Sequence, residues 1–232
     1  MSNISCCPVC GGKEFSKRSV LWPELISDWQ LSPQEVEYIE RQQGFSCNCC
    51  GNNLRSMALA AAIMNAYQFA GTLNEFVTSK LANTLKVLEI NESGGLSKIL
   101  TKLPNYKLAC YPEYDMNKLT FGSGSFDLVI HSDTLEHVSR PISGLMECYR
   151  ILRSKGRCIF TVPIVVGRMT RSRERLKNSF HGAPGQNPKD YIVHTEFGAD
   201  VWCYVASAGF SSIKIHNFEY PAGLAIEAVA YE

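Results

Sequence analysis

Residues 85–95 read LKVLEINESGG, and this stretch decides the fold. Leu85–Ile90 is a short apolar run with an acid, Glu89, near its end. Asn91–Gly95 is a turn of small and polar residues, and GLSKILTKL (Gly95–Leu103) reads as a helix. A strand that passes through a tight turn into a helix opens a layered α/β structure. Small residues at such a turn let backbone amides approach a ligand closely.

The alternation continues downstream. YKLACY (Tyr106–Tyr111), SFDLVIHS (Ser125–Ser132) and GRCIFTVPI (Gly156–Ile164) read as apolar strands. PISGLMECYRIL (Pro141–Leu152) and FGADVWCYVASAG (Phe197–Gly209) read as helices. SIKIHNF (Ser212–Phe218) and LAIEAVAY (Leu224–Tyr231) lie close enough to form a hairpin. Apolar strands between amphipathic helices imply a sheet covered on both faces. The expected architecture is a doubly wound, mostly parallel seven-stranded sheet, with ligands at the carboxyl ends of its strands. Upstream, LRSMALAAAIMNAY (Leu54–Tyr67) and TLNEFVTSKL (Thr72–Leu81) read as helices, the second with Thr72 and Glu75 in a capping-box pattern. Val165–Val193 is too long to be a simple connection. Its basic run, Arg168, Arg171, Arg173, Arg175 and Lys177, reads either as a solvated stretch or as a fork for a substrate phosphate or carboxylate.

The first 56 residues have a different texture. The chain has 10 cysteines. Cys6, Cys7, Cys10, Cys47, Cys49 and Cys50 cluster before residue 51, whereas Cys110, Cys148, Cys158 and Cys203 stand singly in apolar surroundings. Cys7-Pro8-Val9-Cys10-Gly11 and Cys47-Asn48-Cys49-Cys50-Gly51 are matching CxxCG units. Two thiolates on such a turn can face one ion, and two turns make the closed tetrahedral site of structural zinc. Cys6 and Cys49 compete for places, but only Cys7, Cys10, Cys47 and Cys50 give the matched pair. Between the units, Ser32–Gln42 reads as a helix capped by Ser32 with Pro33 in its first position. We therefore expect a zinc-ribbon module over 1–56 and a catalytic-type domain over 57–232.

Composition narrows the class. The chain has 232 residues, 45% hydrophobic and 19% charged, with a formal net charge of +1. That balance suits a full α/β core plus a small module and speaks against a generally basic nucleic-acid binder. No apolar run reaches the ~20 residues of a membrane span. MSNISCCPVCGG has neither the basic start nor the apolar stretch of a secretory leader. With clustered thiols, the expectation is a cytoplasmic protein.

Three segments, VLEINESGG, DMNKLTFGSGSFDLVIHSDTLEHV and MECYRILRSKGRCIFTVP, resemble the class I S-adenosylmethionine-dependent methyltransferases. The resemblance spans roughly residues 50–232 and is similar to zinc-ribbon-bearing members with a CPxCG start and a later HGxP segment, here His181–Pro184. It implies that Glu89 and the turn Asn91, Ser93, Gly94 and Gly95 hold the methionine end of S-adenosylmethionine. Glu113 would hold the ribose, Asp115 and Met116 would flank the adenine, and His131 and Ser132 would line the reacting face. The family's glycine slots hold Asn91, Ser93 and Gly95 here, and Asn is the better of the two substitutes for a left-handed backbone.

Methyl transfer needs alignment of a nucleophile and, for a hydroxyl acceptor, a base. His137 in LEHV and His181 in HGAP are the candidate bases, with His194 and Glu196 behind them. The expected reaction is O-methylation of a small molecule or glycan, phosphorylated or otherwise anionic. Two alternatives stand beside it. One is an RNA methyltransferase whose ribbon docks RNA, although the Asn-Pro-Pro-aromatic motif of base-methylating relatives is replaced by HSDT. The other is a non-catalytic binding module that has kept the fold.

Overall fold

The computed structural model describes residues 4–180 and 191–231. The metal-type segment comes first. β1 (Phe15–Lys17) pairs antiparallel with β2 (Phe45–Cys47), and α1 (Pro23–Asp28) and α2 (Pro33–Gly44) lie between them. α2 starts as its sequence says. Ser32 Oγ accepts from Glu35 N, the Glu35 carboxylate accepts from Ser32 N, and Pro33 opens the first turn. α3 (Leu54–Ala66) is capped by Asn53, whose side chain accepts from Ser56 N at 2.9 Å. It is built from strong helix formers and buries nearly its whole length. α4 is only Leu73–Phe76, shorter than the expected helix, although its Thr72–Glu75 capping box forms.

The main sheet follows: β3 (Val87–Ile90), α5 (Ser97–Leu100), β4 (Tyr106–Ala109), β5 (Phe126–Ser132), α6 (Pro141–Ile151) and β6 (Leu152–Thr161). β7 (Ile164–Val165), β8 (Arg171–Ser172) and β9 (Thr195–Gly198) form a small separate sheet in the order β7–β9–β8. α7 (Val201–Ser207) leads to the antiparallel hairpin of β10 (Ser212–Glu219) and β11 (Gly223–Val229). The helix expected from Phe197 therefore begins later, because Phe197 and Gly198 pair with Ile164 and Val165 instead.

Among the described residues the main sheet has six strands, in the order β10–β11–β6–β5–β3–β4. The seventh strand of the expectation is absent among the described residues. A parallel crossover alone takes a dozen or more residues, and residues 110–125 are used up by the turn after β4 and the bend at Asp115. β3, β4, β5 and β6 are parallel, and β11 joins β6 antiparallel. The chain leaves β3 for β4 on one side and returns to β5 on the other. The two strand ends at this reversal open the crevice in which such sheets bind ligands.

Alternate residues feed two cores. Leu88, Val129, Phe160 and Ile226 pack toward α6 and α7 with Leu145, Val201 and Val205. Val87, Leu128, Ile159 and Ala225 pack toward α3 with Met57 and Ile63. That second core also contains Cys7, Val9, Phe45 and Cys47. The cysteine knuckles are thus packed onto the sheet domain, and the expected boundary at residue 56 falls inside α3.

Candidate functional site

Each knuckle is closed by a backbone bond, from Gly11 N to Cys7 O and from Gly51 N to Cys47 O, both 2.8 Å. Gly11 and Gly51 sit at φ +80 and +71, a conformation that suits a residue with no Cβ. The sulfurs of Cys7, Cys10, Cys47 and Cys50 all lie within 4.8 Å of one another. Cys7–Cys50 and Cys10–Cys47 are each 3.7 Å apart. Thiolates bound tetrahedrally at about 2.3 Å would stand about 3.8 Å apart, so the donors fit such an ion. Cys6 and Cys49 are exposed and outside the group. Burial pushes the Cys10 thiol up to about 12, and a bound cation would favour its ionised form.

One side chain joins this centre to the glycine turn. Asn52 is buried, and its Nδ2 donates to Cys50 Sγ at 3.4 Å. A Cβ on Gly95 would stand 2.6 Å from Asn52 Oδ1. Gly95 is thus required by close packing against the knuckle, and it does not line the cleft.

The cleft opens at the carboxyl ends of β3 and β5 in two adjoining lobes that share Asn91, Tyr111 and His137. The larger, about 570 Å³, is lined by the turn from Asn91 to Gly94, by Ser132 and Asp133, and by Asn53 and Ser56 at the N-terminus of α3. The smaller, about 230 Å³, is lined by Ile90, Tyr114, Asp115, Met116, Asn117 and Val138. Asn91 adopts the left-handed backbone that its glycine slot demands, φ +55, and its Oδ1 accepts from Tyr111 N at 2.9 Å. Gly94 is at φ +59 with open space where a Cβ would be, its nearest neighbour Ser56 Oγ at 3.9 Å. Ser93 Oγ is buried without a partner among the described residues. A ligand in the larger lobe would supply the bond that such a buried hydroxyl lacks.

Other expected residues fall differently. Glu89 is 0% exposed and shapes the turn from beneath. One carboxylate oxygen accepts from Ser93 N and Ser97 Oγ at 2.6 Å, and the other accepts from Tyr106 Oη. Glu113 is exposed on the turn after β4 and lines neither lobe, so the ribose contact expected of it is not supported. His131 is 0% exposed, stacked on Phe160 with ring centroids 4.5 Å apart, and burial pushes its pKa down to about 3. It faces the core on the α6 side and belongs to packing, whereas Ser132 next to it lines the cleft and shares a 2.8 Å bond with Thr161 Oγ1. Asp115 lies in the smaller lobe, with Oδ1 accepting from Asn117 N and Nδ2, and buried Met116 packs there against Gly144.

Of the two candidate bases, His181 lies outside the described residues. His137 lines both lobes. Its Nδ1 is 3.0 Å from Ile192 O, which puts the ring proton on Nδ1 and the lone pair on Nε2. Burial lowers its pKa and keeps the ring neutral. His194 lines the smaller lobe, whereas Glu196 is buried between arginines.

The basic loop is tied up structurally. Arg168 forks onto Glu35 at 2.7 Å and also donates to Trp29 O and Gln30 O, which holds the Glu35 pKa down at about 2. Arg171 and Arg173 both pair with Glu196, and Lys177 pairs with Asp28. Only Arg175 of this run is left exposed with no such pair in the described structure. The run therefore clamps the insert between the knuckles onto the sheet domain and forms no anion fork.

Two cleft residues, Asn53 and Ser56, were not anticipated, nor were the buried charged residues Arg55 and Glu136 outside its lining. Asn53 and Ser56 carry a signal, an Asn directly before an apolar helical run. Arg55 and Glu136 carry less. Arg55 is a lone charge in an alanine-rich helix, 2% exposed, and it bonds Asp133 and Gln42. Glu136 is equally buried, with one oxygen unpartnered among the described residues. Burial, aided by the charge of Asp133, raises its pKa to about 8.

Residues 70–160 match the sequence family described as a methyltransferase domain. That match and the strand order give the sheet domain the Rossmann-like methyltransferase fold. No curated protein sequence matches the chain. Similar solved structures include an S-adenosylmethionine-dependent methyltransferase from Methanosarcina mazei, with 13% identity over 63% of this chain and 92% of that one, TM-score 0.38. The YcgJ protein of Bacillus subtilis has 12% identity over 69% and 98%, TM-score 0.42. The CMeT domain of the citrinin polyketide synthase has 12% identity over 90% and 59%, TM-score 0.46.

Proposed function

We propose that the chain is an S-adenosylmethionine-dependent O-methyltransferase of a small-molecule or glycan-type acceptor, with a structural zinc ion at Cys7, Cys10, Cys47 and Cys50. The observation that carries this reading is the two-lobed cleft at the strand reversal, with an orphaned Ser93 hydroxyl and a left-handed Asn91-to-Gly94 turn in one lobe and Asp115 and Met116 in the other. Four protein donors leave zinc no open position, so its part is to hold the knuckles.

When bound, S-adenosylmethionine supplies an electrophilic methyl group on a sulfonium. The chain's own residues do the rest. Gly94 N–H, Ser93 Oγ and the amino end of α3 at Asn53 present donors to the methionine carboxylate, and helix amides facing an anion are a favourable arrangement. Asp115 can accept only, which suits an adenine amino group, while Ile90, Met116 and Val138 cover the ring. Glu89 keeps the turn in shape without touching the ligand. His137, neutral and with its lone pair on Nε2, takes the proton of a hydroxyl acceptor.

The RNA-docking alternative draws no support from the groove beside the metal centre, where Lys17 and Arg18 alternate with Glu37 and Glu40. Calorimetry with S-adenosylhomocysteine tests the reading. Binding is expected, weakened by roughly 1–3 kcal/mol in Asp115→Ala, the cost of leaving a buried donor unpaired. No binding at millimolar ligand would leave only the non-catalytic module.

A further inference from the structure

The two lobes of the cleft meet at Asn91, Tyr111 and His137, the described residues that line both. In the methyltransferase reading the adenine lies beside Asp115 in the smaller lobe. The methionine end lies against the Asn91-to-Gly94 turn in the larger one. The ribose is the covalent link between these ends, so it has to cross the junction. Its two hydroxyls give up water there and call for hydrogen-bond partners. Glu113 lines neither lobe, and Glu92, exposed on the turn, lines the larger lobe only.

Two of the three junction residues are already in use. Asn91 Oδ1 accepts from Tyr111 N at 2.9 Å, and His137 is the base of the proposed reaction, with Nδ1 at 3.0 Å from Ile192 O. Tyr111 is the third. Ala109 pairs with Ile90 at the end of β4, and Asn91 N donates to Ala109 O at 2.9 Å. Together with the Asn91–Tyr111 bond this latches Tyr111 to the turn after β3, at the strand reversal. Its side chain is open to the cleft: the residue is 52% exposed, and its hydroxyl has no partner among the described residues. A phenol both donates and accepts, so it can meet a sugar hydroxyl in either sense. We infer that Tyr111 is the ribose-recognition residue of this cleft, its Oη bonded to one of the two ribose hydroxyls. The inference rests on the methyltransferase reading and gives to Tyr111 the contact that the sequence placed on Glu113.

Calorimetry of the full chain with S-adenosylhomocysteine and its 2′-deoxy and 3′-deoxy analogues tests it. In wild type, the analogue that lacks the bonded hydroxyl is expected to bind about tenfold more weakly than the parent, near the net value of one hydrogen bond. Tyr111→Phe keeps the ring and removes only the hydroxyl. It is expected to keep the wild-type thermal transition, to weaken the parent about tenfold, and to bind the parent and that analogue alike. Glu92→Gln is expected to keep the wild-type discrimination. A Tyr111→Phe variant that still discriminates as wild type does would overturn the assignment, and loss of discrimination in Glu92→Gln alone would hand the role to Glu92. Equal binding of all three ligands by wild type would also overturn it while leaving the methyltransferase reading standing. Binding of none of them at millimolar concentration would sink that reading itself.

Discussion

The cysteine knuckles and the cofactor-side cleft lie against each other, joined at Asn52, yet they are specified in opposite ways. Each knuckle is written in five consecutive residues, and its geometry follows from a tight turn, a left-handed glycine and two thiols that have one useful direction to face. The cleft is assembled from the ends of β3, β4 and β5 and the start of α3, and each side chain's role depends on which way its strand presents it. A local site is fixed by spacing. A distributed site is fixed by register and by partners far away in the chain.

The largest test of this contrast is removal of the metal-type cluster. Cys10→Ser should abolish stoichiometric zinc by mass spectrometry and remove the cooperative thermal transition. Structural zinc contributes on the order of 10–16 kcal/mol in small zinc peptides. Cys49→Ser, outside the cluster, should keep one ion per chain, and loss of the ion there would break the assignment.

Glu136 comes next. Its carboxyl is held neutral, with its pKa raised from 4.5 to about 8 by burial. The stability this contributes is complete below pH 4.5 and is lost as pH rises toward 8, at up to about 1.4 kcal/mol per pH unit. Glu136→Gln removes that titration. Urea midpoints between pH 5 and 9 should therefore fall more steeply for wild type than for the variant, and parallel curves would refute the buried acid.

Gly95→Ala probes the seam between the two regions. Its Cβ would meet Asn52 Oδ1 at 2.6 Å, and overpacking of this kind costs about 1–3 kcal/mol. Since the obstacle is the end of a side chain, adding Asn52→Ala should recover part of the loss in thermal unfolding. The smallest effect separates two acids in the same segment. Asp115→Ala should weaken S-adenosylhomocysteine binding while Glu113→Ala leaves the calorimetric affinity unchanged. Equal losses would return the ribose role to Glu113.

The same contrast explains what could be read in advance. The four-cysteine cluster, the strand and turn at Glu89, the left-handed Asn91 and the cap of α2 are local patterns that the structure contains, although the helix after the turn is only Ser97–Leu100 where Gly95–Leu103 was expected. His131 could not be placed, because a strand buried on both faces has no polar side to reveal which of His131 and Ser132 looks into the cleft. Glu113 had the right distance from β4 but sits on a turn that carries it outward. Arg168, Arg171, Arg173 and Lys177 looked available only because their partners Glu35, Glu196 and Asp28 lie elsewhere in the chain.

The apolar layer shared by Cys7, Val9, Phe45 and Cys47 with Met57, Val87, Leu128 and Ala225 bears on how this enzyme fold can be shortened. Trimming the chain to start after the ribbon would strip the cap from α3, bare an oily flank of the sheet and unroof one wall of the cleft. A fragment starting at residue 57 is therefore expected to aggregate, and light scattering of it against the full chain checks whether the knuckles belong to the folding unit.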